Sequence, residues 1–158
     1  MGAGKSTVGR ELAALAGVEF IDTDVEIERR AGRRIPEIFA ADGEAGFRAL
    51  EAETVADVLS THRGVVALGG GAVMTPAVRE ALSGHPVVYL KISADAGFAR
   101  VAGSDRPLLA SDDPAAVYAG LLALRGPVYT DAARLVVDAH RAPAEVARDI
   151  ESQLRSAS

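Results

Sequence analysis

Short apolar runs alternate with longer helical patterns along almost the whole chain. Four runs are rich in β-branched residues and apolar on successive positions, which is typical of parallel strands covered by helices on both faces. They span residues 18–22, 64–68, 87–92 and 135–138. This alternation predicts an α/β fold built on a parallel sheet.

Helical patterns occupy the segments between these runs. They span residues 6–16, 35–59, 76–82, 94–101, 114–124 and 143–154. The second segment is expected to break near Asp42-Gly43, which is a turn signal. Residues 103–114 are rich in Gly, Ser, Asp and Pro, and a mobile flap and a plain surface loop both remain open there.

Composition restricts the class of protein further. The 158 residues fit one domain, with 49% apolar and 25% charged residues. The absence of cysteine excludes disulfides and thiolate metal sites, and it suits a reducing compartment. A net charge of −5 argues against general binding to nucleic acid or anionic membranes. With no apolar run near about 20 residues and no signal peptide, we expect a cytoplasmic protein.

The start of the chain carries the second half of the phosphate-loop motif G-x-x-x-x-G-K-[ST]. Small residues there let backbone N–H groups turn inward around phosphate oxygens. Lys5 would reach the β- and γ-phosphates, Ser6 would ligate Mg²⁺, and the helix that follows points its positive end at the anion. An ordinary glycine-rich helix start is the alternative. The motif residues are Gly2, Ala3, Gly4, Lys5, Ser6 and Thr7.

The first glycine of this motif and the apolar strand before it are absent. In this type of fold that strand lies in the middle of the sheet. Its neighbours would keep unpaired buried backbone groups at about 1–3 kcal/mol each, which together rival a domain's stability of about 5–15 kcal/mol. We therefore expect Met1 to be an internal methionine of a longer natural chain, through a start-site error or an experimental choice. A short, damaged chain is the alternative.

Two aspartates end the first predicted strand. Residues two apart on a strand point to the same side, so Asp22 and Asp24 can aim both carboxylates into one cleft. Ligands bind at the carboxyl ends of strands in α/β sheets. One carboxylate can hold Mg²⁺ through water while the other accepts a proton from a substrate hydroxyl. Alternatively, Thr23 or Asp24 only caps a helix over residues 25–30.

Two arginines and a glycine run are candidates for binding an acidic ligand. Arg48 and Arg125 can each bind a carboxylate with two hydrogen bonds, although a surface arginine is the alternative for each. The run Gly69-Gly70-Gly71 directly follows a predicted strand. Glycines there allow a ligand to approach the backbone closely, and a flexible turn is the alternative.

Arg106 lies in the proposed flap, where a guanidinium can close over a phosphate during its transfer. Phe39 and Phe47 are spaced to lie on facing helices as an apolar support, although core packing is the commoner use. The histidines lack ligand spacing and are assigned no chemistry; they are His62, His85 and His140.

In order and spacing, these motifs resemble those of shikimate kinases. Each motif is weak alone, but the ordered set is specific, and the resemblance runs from Gly2 to about the last helix. The motifs are GAGKST, Asp22-x-Asp24, Phe47-Arg48, Gly69-Gly70-Gly71, Arg106-Pro107-Leu108-Leu109 and Arg125-x-Pro127-x-Tyr129.

The resemblance implies a three-layer α/β/α P-loop kinase fold in a single domain over residues 1–158. The family's parallel sheet has five strands in the order 2-3-1-4-5, and the first of them is missing here. A helical substrate-binding insert would span about residues 24–51 and a mobile lid about 102–113. The lost strand and glycine put folding and ATP affinity in doubt.

The resemblance also implies how ATP and Mg²⁺ are bound. Residues 2–7 would form the phosphate loop, with Lys5 on the phosphates and Ser6 on Mg²⁺. Asp22 would hold Mg²⁺ from its second shell, and Arg106 would reach the phosphates from the lid. Two further residues would flank the adenine with a less secure alignment, Arg100 and Arg141.

For the second substrate, the resemblance implies that Asp24 binds ring hydroxyls and serves as the base or orienter for the attacking one. Arg48 and Arg125 would grip the substrate carboxylate. Gly69, Gly70 and Gly71 would lie beside the ring, with Gly70 as the most direct contact.

The implied reaction moves the γ-phosphoryl of ATP to the 3-hydroxyl of shikimate, on the route to chorismate and the aromatic amino acids. It would proceed mostly by positioning and charge stabilisation, in a protein expected to be monomeric. Two alternatives stay open at this point. One is another small P-loop kinase, such as one acting on gluconate, and the other is an inactive nucleotide-binding relic.

Overall fold

A computed structural model describes residues 2–103 and 106–158 of the chain. The described part contains seven α-helices and four strands, in the predicted alternation. The helices are α1 (Lys5–Ala16), α2 (Thr23–Ala31), α3 (Ile35–Thr61), α4 (Pro76–Ala81), α5 (Ala94–Val101), α6 (Pro114–Ala132) and α7 (Pro143–Ser156). The strands are β1 (Phe20–Asp22), β2 (Val65–Ala67), β3 (Val88–Lys91) and β4 (Leu135–Asp138), and short 3₁₀ turns cover Ala72–Met74 and Pro107–Leu109.

The strands pair in parallel, as the apolar runs predict. Strand β1 pairs with β2, with Phe20 opposite Val65 and Asp22 opposite Ala67. Strand β3 pairs with β4, with Val88 opposite Leu135. This β1-β2 and β3-β4 pairing is the order 2-3-1-4-5 without its central member, so the expected fold class is confirmed.

Between β2 and β3 lies an apolar cavity of about 310 Å³. In the described part of the chain the two strands do not pair with each other. Their facing edges line the cavity together with α1, through residues that include Val8, Leu12, Val65, Ala67, Val88 and Leu90. The expected gap between the two strand pairs is therefore present.

Helices α1 and α7 pack together over one side of the β3-β4 pair. Val8 of α1, Val137 of β4 and Ile150 of α7 are all buried in a single apolar cluster. None of the helices in the described residues is long and apolar enough to cross a lipid bilayer.

Helices α2 and α3 form a separate apolar unit beside β1. Gly43 interrupts α3 with φ 73° and ψ 177°, so the break predicted at Asp42-Gly43 is confirmed. The kink folds the first part of α3 back, and the Phe39 and Phe47 rings meet with centroids 4.7 Å apart. Ile27, Ile38 and Phe47 form the buried core of this unit.

Helix α6 is longer than predicted. The pattern ends it at residue 124 because Gly126 and Pro127 are poor helix formers, but the helix continues to Ala132. Packing offsets this local preference, since Arg125 is buried before the proline and Tyr129 packs against an apolar cluster after it. The extension matters because it fixes both side chains on one helix, four residues apart.

The α2 helix offers a matched test of this packing. Ile27 is fully buried (0% exposed), whereas Val25 on the same helix is 60% exposed. We predict that Ile27→Ala lowers the free energy of unfolding by about 2–5 kcal/mol, because it leaves a cavity in the α2–α3 core. Val25→Ala should change it by less than about 0.5 kcal/mol. Urea unfolding measures both, and equal effects would show that α2 does not pack as described.

Candidate functional site

The phosphate loop adopts a conformation that requires its glycines. Gly2 and Gly4 have φ values of 75° and 81°, in the left-handed region. A Cβ at Gly2 would also lie 2.1 Å from the Gly97 carbonyl oxygen. Gly4 is the N-cap of α1 and provides no side-chain cap, so the first N–H groups of the helix have no side-chain acceptor at the cap. An anion can satisfy these groups at the positive end of the helix.

The carboxylate of Asp22 joins this loop to the end of β1. Ser6 Oγ donates to Asp22 Oδ2 at 2.5 Å, and the backbone N–H of Asp24 donates to Asp22 Oδ1 at 2.9 Å. Asp22 is therefore the N-cap of α2. The sequence left Thr23 or Asp24 open as that cap, and both are wrong. Thr23 is buried and donates to the Ala67 carbonyl oxygen at 3.2 Å, which fixes α2 to β2.

Lys5, Asp24 and Arg106 share one electrostatic environment. Burial raises the pKa of the Asp24 carboxyl, as does the Asp22 charge, while Lys5 and Arg106 oppose the shift. Burial lowers the pKa of Lys5, and the nearby Arg106 charge lowers it further, against Asp24 and Asp22. Arg106 therefore lies close enough to act on both groups. Ser104 and Asp105, which the sequence analysis placed in the expected lid, fall outside the described residues, as does Met1.

Arg48 lies against the glycine run, held by two neighbours on its own helix. Its Nη1 donates to Glu51 Oε1 at 2.7 Å, and its guanidinium lies 5.1 Å from the centroid of the Phe47 ring. A Cβ at Gly71 would lie 2.3 Å from Arg48 Nη2, so only glycine permits this approach. The predicted proximity of Arg48 and the glycines is present in the structure.

Glu51 is a site residue that the sequence did not reveal. Its side chain is 1% exposed, and Oε2 has no hydrogen-bond partner among the described residues. Burial raises its pKa, while the hydrogen bond and the charge of Arg48 lower it. A Cβ at Gly69 would lie 2.8 Å from Asp24 Oδ1 and 2.9 Å from Glu51 Oε2, so both carboxylates border one cleft. The available signal was the Arg48–Glu51 spacing of three, which brings helical side chains together.

Arg125 supplies a second cation to this cleft from α6. It is 5% exposed and forms no ion pair with a carboxylate within the described ranges. Its charge acts on Glu51 and on the Tyr129 hydroxyl. A buried cation that forms no ion pair with a described carboxylate favours an anionic ligand, and a carboxylate matches guanidinium geometry.

Arg100 and Arg141 border a second cavity of about 260 Å³ beside the phosphate loop. Arg100 donates to the carbonyl oxygens of Gly2 at 3.0 Å and Ala139 at 3.2 Å. Arg141 pairs with Asp149 at 2.7 Å on the surface. Both arginines therefore have protein partners and can offer a ligand their planar faces rather than free hydrogen-bond donors.

The oxygen atoms of Ser6 and Asp22 suit a magnesium ion that also binds phosphate, rather than a metal held by protein side chains alone. No group of three or more His, Cys, Asp or Glu side chains that could hold a metal occurs among residues 2–103 and 106–158. Mg²⁺ usually keeps several waters and binds through one or two protein oxygens plus phosphates. The close Ser6–Asp22 pair beside the phosphate loop provides that kind of site.

Comparison with known proteins gives one consistent family. A family model described as shikimate kinase matches residues 1–155. The shikimate kinase of Mycobacterium avium (strain 104) is 56% identical over 155 residues, which cover 97% of this chain and 88% of the relative. That of Mycobacterium bovis (strain BCG / Pasteur 1173P2) is 52% identical over 156 residues, covering 98% and 89%.

Among solved structures, shikimate kinase from Acinetobacter baumannii in complex with shikimate superposes with a TM-score of 0.97 at 37% identity. The match covers 100% of this chain and 90% of that chain.

The raised pKa of Asp24 has a consequence for stability. A carboxyl whose pKa is higher in the folded state loses stability as pH rises from its unfolded pKa of about 3.9 through the folded value. We predict that Asp24→Asn makes the protein more stable than the wild type at pH 7, with the difference disappearing at pH 3. Denaturant unfolding at both pH values measures this. The exposed Asp57→Asn is the control, and a less stable Asp24→Asn protein at pH 7 would contradict the burial of this charge.

Proposed function

The chain belongs to the shikimate kinase family, and we propose that it transfers the γ-phosphoryl group of ATP to the 3-hydroxyl of shikimate. It is an ATP-dependent kinase, and ATP and shikimate are its substrates. The product would be shikimate 3-phosphate. The observation that carries the proposal is the junction of Ser6, Asp22 and Asp24, which joins the phosphate loop to the acceptor side of the cleft.

On the ATP side, the α1 N-terminus and the backbone of residues 2–7 bind the phosphate oxygens. Lys5 and Arg106 add positive charge, and each already acts electrostatically on Asp24. The adenine lies in the second cavity between Arg100 and Arg141, where guanidinium planes can stack on a base.

Ser6 and Asp22 would hold Mg²⁺, with Ser6 Oγ as a ligand and the Asp22 carboxylate orienting it or a bound water. An ion held there would supply positive charge that offsets the charge on the phosphates during transfer. This role agrees with the rest of the junction, since Asp22 also orients the backbone that carries Asp24.

On the acceptor side, Arg48 and Arg125 bind the shikimate carboxylate, and Gly69, Gly70 and Gly71 allow the ring to approach. The support is that Arg125 is buried without an ion-pair partner within the described ranges, and that the Arg48 guanidinium lies against Gly71. Glu51 holds Arg48 in place through a hydrogen bond.

The reaction then needs a single proton acceptor and a stabilised leaving group. The Asp24 carboxylate accepts the proton of the 3-hydroxyl, whose oxygen forms the new bond to the γ-phosphorus. The bond from the γ-phosphorus to the β–γ bridging oxygen breaks, and ADP leaves. Burial of Asp24 raises its pKa and makes it a stronger base, while the charges of Lys5 and Arg106 oppose this shift. Lys5 and Arg106 also offset charge on the transferring phosphoryl group.

We propose that two segments shape this site: an insert that forms one wall and a lid that moves. The insert over about residues 24–51 forms the acceptor wall on the apolar core of Ile27, Ile38 and Phe47. The lid over about residues 102–113 carries Arg106 and closes over the phosphates. We also propose a monomeric protein of the cytoplasm, since the chain has no cysteine and both substrates are small metabolites.

The direct experiment follows ADP release from ATP and Mg²⁺ with shikimate and, in parallel, with gluconate. We predict release that depends on shikimate, and none above background with gluconate. The Asp24→Asn variant should still bind ATP but lose shikimate-dependent release. Release with gluconate alone would contradict the proposed acceptor, and equal turnover in Asp24→Asn would remove Asp24 from the proton step.

Arg125 tests the carboxylate clamp separately. We predict that Arg125→Ala raises the KM for shikimate at least about tenfold and leaves the KM for ATP within twofold, because a buried charge pair is lost on the acceptor side only. Steady-state kinetics with each substrate varied measures both. The exposed Arg63→Ala is the control and should match the wild type. An unchanged KM for shikimate in Arg125→Ala would show that the carboxylate binds elsewhere.

A further inference from the structure

The hydroxyl of Tyr129 connects two parts of the acceptor side that come from different elements. It donates a hydrogen bond to the carbonyl oxygen of Gly70, 59 residues earlier in the chain. The guanidinium of Arg125, one turn back along α6, is near enough for its charge to act on the same hydroxyl. One side-chain oxygen therefore links the helix that carries the buried arginine to the glycine run.

The hydrogen-bonding capacity of a phenol fits this arrangement. A tyrosine hydroxyl has one proton to donate and lone pairs to accept with. Its proton goes to Gly70, and its lone pairs are then available to Arg125. Burial raises the pKa of Tyr129, against the charge of Arg125, so the hydroxyl keeps its proton at neutral pH.

The Gly70 bond also fixes the peptide group that follows. In a planar trans peptide the N–H of Gly71 points opposite to the Gly70 carbonyl. Holding the carbonyl toward Tyr129 therefore directs this N–H away from α6. Gly71 is where the Arg48 guanidinium lies against the backbone, so the peptide orientation sets the surface between the two arginines.

The ring of Tyr129 has a separate structural role. It contacts the ring of Tyr89 with centroids 5.0 Å apart, and it packs against the apolar cluster of Val55, Ala72 and Val78. Removing only the hydroxyl leaves these contacts in place. Tyr89 is a matched control, because burial alone raises the pKa of its hydroxyl, whereas Arg125 also acts on the hydroxyl of Tyr129.

We propose that Tyr129 is a positioning residue for shikimate, holding the Gly70–Gly71 peptide against α6, beside Arg125, in the single arrangement that accepts the substrate carboxylate and ring. The inference rests on the proposed function. Tyr129 acts through this peptide and does not itself take part in phosphoryl transfer.

Steady-state kinetics of Tyr129→Phe tests this role. We expect the KM for shikimate to rise about tenfold, because the hydrogen bond that fixes the glycine turn beside Arg125 is lost. The KM for ATP and kcat should stay within twofold, and Tyr89→Phe should match the wild type. A KM for shikimate within twofold of the wild type would overturn the proposal. Equal rises in both KM values would also overturn it, because they indicate general loosening.

Hydrogen exchange tests the same link without turnover. The amides of Ala72 and Met74 donate to the carbonyls of Gly69 and Gly71, both at 3.1 Å, and so report on the turn. Both amides should exchange severalfold faster in Tyr129→Phe and at the wild-type rate in Tyr89→Phe. Unchanged exchange in Tyr129→Phe would overturn the proposal. If the wild type shows no shikimate-dependent turnover, the proposed function fails, and this measurement still decides whether Tyr129 holds the turn.

Discussion

The site depends on one carboxylate, that of Asp22, which joins three elements at the end of β1. One oxygen accepts from Ser6 at the start of α1, and the other accepts from the backbone N–H of Asp24 at the start of α2. The phosphate loop, the strand and the helix that carries Asp24 therefore have one common anchor. This anchor holds the phosphate loop and Asp24 close together, as the proposed reaction requires.

Burying several charged side chains in one cleft costs stability, and here different helices carry these side chains. Asp24 and Glu51 are both pushed toward higher pKa values by burial, and Lys5 is pushed toward a lower one. Arg48, anchored by Glu51, and the buried Arg125 supply the opposing charge from helices α3 and α6. Such a set of buried charges is not optimal for stability. A bound anion would offset part of the cost of burial by pairing with the arginines.

Much of this arrangement was predictable from sequence for a simple geometric reason. Lys5, Ser6, Asp22 and Asp24 follow directly from a glycine loop and a strand end, and in parallel sheets such ends bind ligands. The paired strands and the gap between β2 and β3 also agree with expectation.

The rest depended on tertiary contacts. Nothing in the local sequence distinguishes Glu51 from an exposed helical glutamate, and only the fold buries it. The hydrogen bond from Tyr129 to Gly70 joins residues 59 positions apart. The continuation of α6 past Pro127 likewise rests on packing on both sides of the proline, which overrides local propensity.

The pKa of the Asp24 carboxyl, from carbon-13 NMR titration of the free protein, tests the shared anchor at Asp22 most directly. We predict a midpoint above the ordinary value of about 3.9, which falls when Asp22 is replaced in Asp22→Asn. A midpoint at or below the ordinary value would contradict a buried Asp24 held beside Asp22.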